Sequence, residues 1–179
     1  MVRKYSLRFF LDFEKEEAWY NKMAQKGWML DGYFFIVYRF AKGEPGEYIY
    51  REELLPNFID SSESHAYLDF IKTADVEVVV KWGSWVICRR KASNGIFELY
   101  TDTDSRIALY QRVSRLFLLS CVVELAAVLM VILSLYMDPS WPKLFPLAIV
   151  SLAGLALFLV GWRFRKKHHR LVKEQQLLE

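Results

Sequence analysis

One acidic residue, Glu124, lies inside an otherwise uncharged apolar run of the 179-residue chain. The run covers residues 116–137. A carboxyl group in such a setting is costly, and residues of this kind usually face a partner or mark an ion path. A second apolar run, residues 144–162, has Gly154 at the matching depth, with Ser151 one turn away. We expect Glu124 to be protonated, to face the second run and to donate a hydrogen bond to Ser151 or to a carbonyl beside Gly154.

Three interpretations of Glu124 stay open. It is a site that senses protons or a partner, or a neutral carboxyl that holds two helices or two protomers together, or a tolerated residue near water. The first is functional, the second is structural, and the third assigns Glu124 no role.

The other reactive side chains favour no enzyme chemistry. Glu14, Glu16 and Glu17 resemble paired carboxylates, but they fall in the first turn of a predicted helix with no His or Cys nearby, so we expect a solvated, dipole-favoured helix start. The adjacent His168 and His169 lack a third ligand and belong to a basic segment. No phosphate-binding loop, nucleophile elbow, HExxH or CxxC is present. We therefore predict no catalytic, cofactor-binding or metal-binding residues, and no enzyme activity.

The two apolar runs are predicted to be transmembrane helices. About 20 apolar residues span a bilayer core of roughly 30 Å. Residues 138–143 leave room only for an external turn, so the two spans form an antiparallel hairpin. Cations flank both of its ends and indicate cytoplasmic termini by the positive-inside rule. The flanking residues are Arg112, Arg115, Arg163, Arg165, Lys166 and Lys167.

The net charge of +3 is unevenly distributed. Residues 1–102 carry a net charge of −2 and residues 103–179 a net charge of +5. The cations near the membrane predict contact with anionic lipid headgroups. The absence of a basic surplus before residue 103 argues against nucleic acid as a partner.

The polar part of the chain predicts a cytosolic α+β domain, residues 1–102. Strands are expected at residues 4–11, 28–40 and 47–53, the last two forming a hairpin. A further hairpin, residues 76–82 and 85–90, follows. Helices are expected between Asp12 as N-cap and Gly27 as C′ residue, and at residues 60–73, where Asp60 to Glu63 has capping-box spacing.

The predicted order is βαββαβ with an extra strand, which is typical of a ferredoxin-like sandwich. No sequence repeat is visible. A juxtamembrane helix, residues 103–115, leads into the first span, and residues 163–179 form a basic cytosolic tail. Trp19 and Met23 are expected to form the buried stripe of the first helix. Cys88 and Cys121 are expected to be reduced packing residues.

Aromatic residues crowd the strands of residues 28–40 and 47–53. Part of these side chains must fill the core, and the remainder forms an apolar patch for a protein partner or the bilayer surface. Stacking on nucleobases is a third alternative, which the scarcity of nearby cations disfavours.

A short string near the N-terminus resembles a known family. It runs Glu16-Glu17-Ala18-Trp19, then Met23-Ala24, then Lys26-Gly27-Trp28. The string, of the form EEAWxxxMAxKGW, is similar to the opening of an uncharacterised bacterial domain-of-unknown-function family of small membrane proteins. That resemblance implies a cytosolic domain followed by hydrophobic spans. It also implies a gene neighbourhood shared with PadR-like repressors, and no functional residues.

Together these features predict a membrane-anchored, non-enzymatic regulatory or sensory module whose cytosolic domain binds a partner protein. The resemblance implies a link to a PadR-like repressor or an envelope response. The alternative is an accessory subunit of a membrane transporter or envelope complex, packed through Glu124, Ser151 and Gly154. A homo-oligomer is compatible with both, and a membrane-bound enzyme is a third alternative, because fold does not decide function.

Overall fold

The chain is described by a computed structural model that covers residues 2–100 and 102–177. It divides into two compact units, residues 1–101 and 102–179. The first unit has the predicted α+β class, and the second consists of two long apolar helices.

The first half of the α+β unit contains three strands and one helix. These elements are β1 (Arg3–Leu7), α1 (Phe13–Gln25), β2 (Trp28–Phe34) and β3 (Val37–Lys42). The strands form an antiparallel sheet in the order β1-β3-β2, called sheet A here. Asp12 caps α1 as predicted, because its carboxylate accepts a hydrogen bond from the backbone N–H of Glu14 at 3.2 Å. Gly27 ends the helix at a φ of +77°, a conformation that favours glycine.

The second half repeats this arrangement. Its elements are β4 (Tyr48–Leu54), α2 (Ser62–Lys72), β5 (Glu77–Trp82) and β6 (Trp85–Lys91). The strand order is β4-β6-β5, called sheet B. Ser61, one residue beyond the predicted Asp60, caps α2 by accepting from the backbone N–H of Ser64 at 3.1 Å. The unit is therefore two β-α-β-β halves with the same strand order, a repeat that the amino-acid sequence does not reveal.

The predicted strand of residues 28–40 is two strands. A turn at Phe35 separates β2 from β3, and Phe35 adopts a φ of +58°. The sequence holds no Gly, Pro or Asn there, so nothing in it signals a turn. The predicted irregularity at Asp31-Gly32 is present as a register shift between Leu30 and Gly32.

The predicted hairpin between residues 28–40 and 47–53 is wrong. β4 pairs with β6 along its whole length, from Tyr48 opposite Lys91 to Leu54 opposite Trp85. The six strands consequently form two three-stranded sheets rather than the single sheet of a ferredoxin-like sandwich. The β5–β6 hairpin is confirmed.

Two apolar clusters fill the α+β unit. One lies between α1 and the sheets and contains the buried residues Tyr20, Ala24, Met29, Leu30, Tyr38, Phe40, Tyr50, Val80 and Ile87. The other lies against α2 and contains Leu55, Leu68, Ile71, Val76, Val86, Cys88 and Phe97. Cys88 is fully buried and free, as expected for a packing residue.

The second unit is formed by α3 (Thr103–Met137) and α4 (Leu144–Gln176), joined by a short turn. Both helices are long and apolar enough to cross a membrane, with mean hydropathies of 2.8 and 2.4 over their most apolar segments. The predicted juxtamembrane helix and first span are one continuous helix. The predicted basic tail continues α4 to Gln176, and its last two residues, 178 and 179, lie outside the described residues.

Candidate functional site

The helices α3 and α4 approach each other closely at two glycines one heptad apart. A Cβ atom added at Gly161 would lie 2.9 Å from the Cβ of Phe117, and one added at Gly154 would lie 3.4 Å from the Cβ of Glu124. The small residues let the helix backbones approach closely, as in membrane helix pairs. The helices are antiparallel, and the side-chain amide of Gln175 donates to the carboxylate of Asp104 at 2.8 Å.

Glu124 lies opposite Gly154, at the depth that the sequence indicates. The carbonyl of Gly154 accepts instead from the thiol of Cys121, at a sulfur–oxygen distance of 3.9 Å. Ser151 is exposed, and no hydrogen bond between it and Glu124 occurs among the described residues. The geometry thus brings Glu124 and Gly154 together and leaves Ser151 outside the contact. The role of Glu124 stays a prediction.

Aromatic packing and cations occupy the end of the hairpin where α3 enters and α4 leaves the apolar runs. The fully buried ring of Phe164 lies 6.1 Å from Tyr110 and 6.2 Å from Phe117, measured between centroids. Trp162 lies under the Nζ atom of Lys166 at 4.0 Å. The predicted flanking cations all lie on these two helices, namely Arg112, Arg115, Arg163, Arg165, Lys166 and Lys167.

A second candidate site, the carboxylate–tyrosine cluster, joins α1 to β3 and β4. Its members are Glu16, Glu17, Tyr20, Asn21, Tyr38, Arg51 and Glu52. The hydroxyl of Tyr38 donates to Glu16 at 2.7 Å, and that of Tyr20 donates to Glu52 at 3.3 Å. The solvated helix start predicted for Glu16 and Glu17 is therefore wrong, because both carboxylates are partly buried and bonded to neighbouring strands.

Side chains of α1 form hydrogen bonds with the backbone groups on the outer edge of β4. The amide of Asn21 donates to the carbonyl of Tyr50 at 2.9 Å and accepts from its N–H at 2.8 Å. One turn earlier, the carboxylate of Glu17 accepts from the N–H of Glu52 at 3.0 Å and pairs with Arg51 at 3.1 Å. These bonds replace those of a missing neighbouring strand. They close an edge that would otherwise be open to pairing.

Burial dominates the electrostatics of the cluster. Loss of solvation raises the pKa of Glu52 well above the ordinary value of 4.5, and nearby Glu16 and Glu17 raise it further. Burial also raises the pKa of Glu16 and of Glu17, against the lowering effect of their hydrogen bonds. Three acids in one place therefore hold protons more tightly in the folded state than in the unfolded state.

This arrangement predicts a stability that falls as the pH rises. A raised folded-state pKa adds stability that is complete below the ordinary 4.5 and is lost as the pH rises through the folded value. We expect the unfolding midpoint in urea to decrease as the pH rises above about 4.5 toward the raised folded-state pKa. Glu52→Gln keeps an acceptor for Tyr20 and should flatten this dependence. Glu44→Gln, at an exposed position, is the matched control. An unchanged slope in Glu52→Gln would contradict the assignment.

The residues of the family-like string near the N-terminus make structural contacts. Trp19 packs against Tyr38 and Phe40 at centroid distances of 4.8 and 5.5 Å, and Met23 packs against the same cluster. Both are only partly buried, so the predicted buried stripe is corrected, and the buried residues of α1 are Phe13, Tyr20 and Ala24. Gly27 faces the carbonyl of Gly43, which an added Cβ would approach to 2.9 Å. Trp28 lies under two ammonium groups, those of Lys4 and Lys42, at 5.3 and 5.0 Å.

Sequence reasoning missed the carboxylate–tyrosine cluster. The spacing of Glu17 and Asn21, four residues apart on one helix face, was its available signal. No such signal marked Glu52 and Tyr50, because the alternation of polar and apolar residues along a strand does not indicate which element packs against that strand. Among residues 2–100 and 102–177, no group of three His, Cys, Asp or Glu side chains is placed to hold a metal ion.

An α+β unit followed by two long apolar helices defines a class of small proteins with a candidate membrane hairpin. Residues 12–122, more than half of the chain, match the family described as "Protein of unknown function (DUF2812)". The chain belongs to this family, and the predicted resemblance to an uncharacterised family is confirmed. The match runs from the cap of α1 into the apolar part of α3. Neither the curated proteins nor the solved structures contain a match.

Proposed function

We propose that this protein is a membrane-anchored, non-enzymatic regulatory module of the bacterial cell membrane. Its α+β unit binds a partner protein in the cytosol, and its hairpin holds the unit at the membrane. The observation that carries this proposal is the continuity of α3. The helix begins directly after the α+β unit and runs without a break from Thr103 to Met137. Such a helix can pass a displacement from one side of the membrane to the other.

The proposed orientation is supported by the position of the cations. They gather at the end of the hairpin that carries the start of α3 and the end of α4, and the positive-inside rule favours a cytoplasmic location for both termini. A groove of about 390 Å³ on α4 supports contact with anionic lipid headgroups there. It is lined by Leu159, Trp162, Arg163, Lys166, Lys167 and Arg170.

Cysteine labelling on intact cells tests the orientation. We expect a membrane-impermeant maleimide to label Ser140→Cys, in the predicted external turn, and to leave Ser93→Cys unlabelled until the cells are lysed. Ser93 is exposed in the α+β unit and serves as the matched control. Labelling of Ser93→Cys on intact cells, with Ser140→Cys unlabelled, would reverse the topology.

The partner is tested by cross-linking in native membranes followed by affinity purification and mass spectrometry. Recovery of a PadR-like repressor or another soluble regulator supports the leading proposal. Recovery of a polytopic transporter supports the alternative, an accessory subunit that packs through the face of Glu124 and Gly154. That alternative is supported by Glu124, whose carboxyl group lies within the apolar stretch where the two helices approach each other closely at Gly154.

Two variants separate these partners by the surface they use. Gly154→Leu alters the apolar hairpin, so we expect it to abolish capture of a transporter and to leave capture of a cytosolic regulator intact. Ala153→Leu, at an exposed neighbouring position on α4, is the control for added volume. Purification of the chain alone under both conditions would argue against either partner.

A further inference from the structure

One end of sheet A exposes a compact group of apolar side chains, called the apolar tip here. It consists of Leu7, Phe9, Phe34, Phe35 and Val37. Leu7 and Phe34 both pair with Val37 across the sheet, and residues opposite each other in antiparallel strands share a face. The backbone N–H of Arg8 donates to the carbonyl of Ile36, which brings Phe9 beside the turn. Leu7 is 72% exposed and Phe34 is 82% exposed.

The turn at the apolar tip is strained. Phe35 has a φ of +58°, a region that bulky residues rarely adopt, and its ring is exposed. Packing of that ring in the core therefore does not account for the strain. Strained backbone conformations cluster at ligand-binding and switch regions of proteins. The result here is two consecutive phenylalanine rings held out in solvent.

Sheet A is also electropositive. Its strands and the residue after β1 carry five cations and one carboxylate. The cations are Arg3, Lys4, Arg8, Arg39 and Lys42, and the carboxylate is Asp31. Asp31 is engaged by Arg39 at 3.0 Å. Arg8 is exposed and lies between Leu7 and Phe9 at the apolar tip, whereas Arg3, Lys4 and Lys42 lie at the opposite end of the sheet. An exposed group of aromatic rings flanked by a cation fits the interface of an anionic bilayer, where rings enter the headgroup level and cations meet phosphate.

Only a short stretch of helix separates the α+β unit from the membrane-spanning run. Asp102 caps α3, and the apolar run begins at residue 116. The intervening helix is about 20 Å long, comparable with the size of a domain of this length. We propose that the apolar tip docks on the anionic lipid surface of the membrane, with Phe34 and Phe35 in the interface. This inference rests on the membrane anchoring of the proposed function.

Photo-cross-linking of the full chain in nanodiscs tests the docking. Phe35→benzoylphenylalanine places a photoreactive ring at the apolar tip. Phe70→benzoylphenylalanine is the matched control, since Phe70 is 69% exposed on α2. Leu129→benzoylphenylalanine, in the apolar part of α3, reports on the hairpin itself. Lipid adducts are measured by mass spectrometry after irradiation, in phosphatidylcholine with and without phosphatidylglycerol.

We expect lipid adducts at position 35 to exceed those at position 70 by on the order of tenfold, and to fall several-fold without phosphatidylglycerol. Lipid adducts at position 129 with none at position 35 would overturn the docking and leave the anchored hairpin intact. A protein adduct at position 35, either a second copy or another partner, would also overturn it. Absence of lipid adducts at position 129 would overturn the membrane anchoring and the docking together.

Discussion

Trp19→Ala is expected to lower the free energy of unfolding of the α+β unit by about 3–5 kcal/mol, as for other large aromatic truncations in a core. The ring of Trp19 lies within a group of aromatic rings, 5.4 Å from Phe10, 4.8 Å from Tyr38 and 5.5 Å from Phe40. These contacts hold α1 on sheet A. Removing the indole leaves a cavity between helix and sheet, which the surrounding rings can fill only in part.

Trp82→Ala is the matched control for this loss. Trp82 is 56% exposed at the end of β5, so its truncation should cost less than about 1 kcal/mol. The measurement is urea unfolding of residues 1–101 and of the full chain, followed by circular dichroism. In a domain of this size, 1 kcal/mol moves the melting temperature by about 4–8 °C. Equal midpoints for the two variants would place Trp19 outside the core.

Asn21→Leu should lower the free energy of unfolding by about 2–4 kcal/mol, although leucine is a good helix former and similar in size. Asn21 makes two hydrogen bonds to the backbone of Tyr50. Leucine removes the partner of the N–H of Tyr50 on the edge of β4, while the carbonyl keeps one hydrogen bond, from the guanidinium of Arg51 at 3.1 Å. The expected loss of stability therefore comes from a lost backbone hydrogen bond and not from a change in side-chain volume.

The same variant should also associate at high concentration, because an unsatisfied strand edge is a template for pairing with another chain. Lys22→Leu, at an exposed position on the same helix, controls for added apolar surface. Light scattering and urea unfolding of both variants check the two effects. If Lys22→Leu associates and loses stability as much as Asn21→Leu, the edge of β4 does not depend on Asn21.

Local signals in the sequence determined much of this protein. Asp12 and Gly27 bound α1 correctly, and Gly83-Ser84 marked the β5–β6 hairpin, because caps and tight turns depend on a few neighbouring residues. The two long apolar helices were equally predictable, since their length and composition alone set them apart from the rest of the chain. The opposition of Glu124 and Gly154 followed from counting along two antiparallel helices.

Only the tertiary structure decided how the strands combine and which carboxylates are buried. The turn at Phe35, where φ is +58°, runs against the preference of an aromatic residue for a strand, and no turn residue in the sequence marks it. β4 pairs with β6, which follows it by more than 30 residues, and strand pairing at such a distance has no local signature. For the same reason Glu17 and Glu52, which look solvated in sequence, meet at the α1–β4 contact. Whether a side chain is buried depends on the element that packs against it, and the sequence of a strand does not determine which element that is.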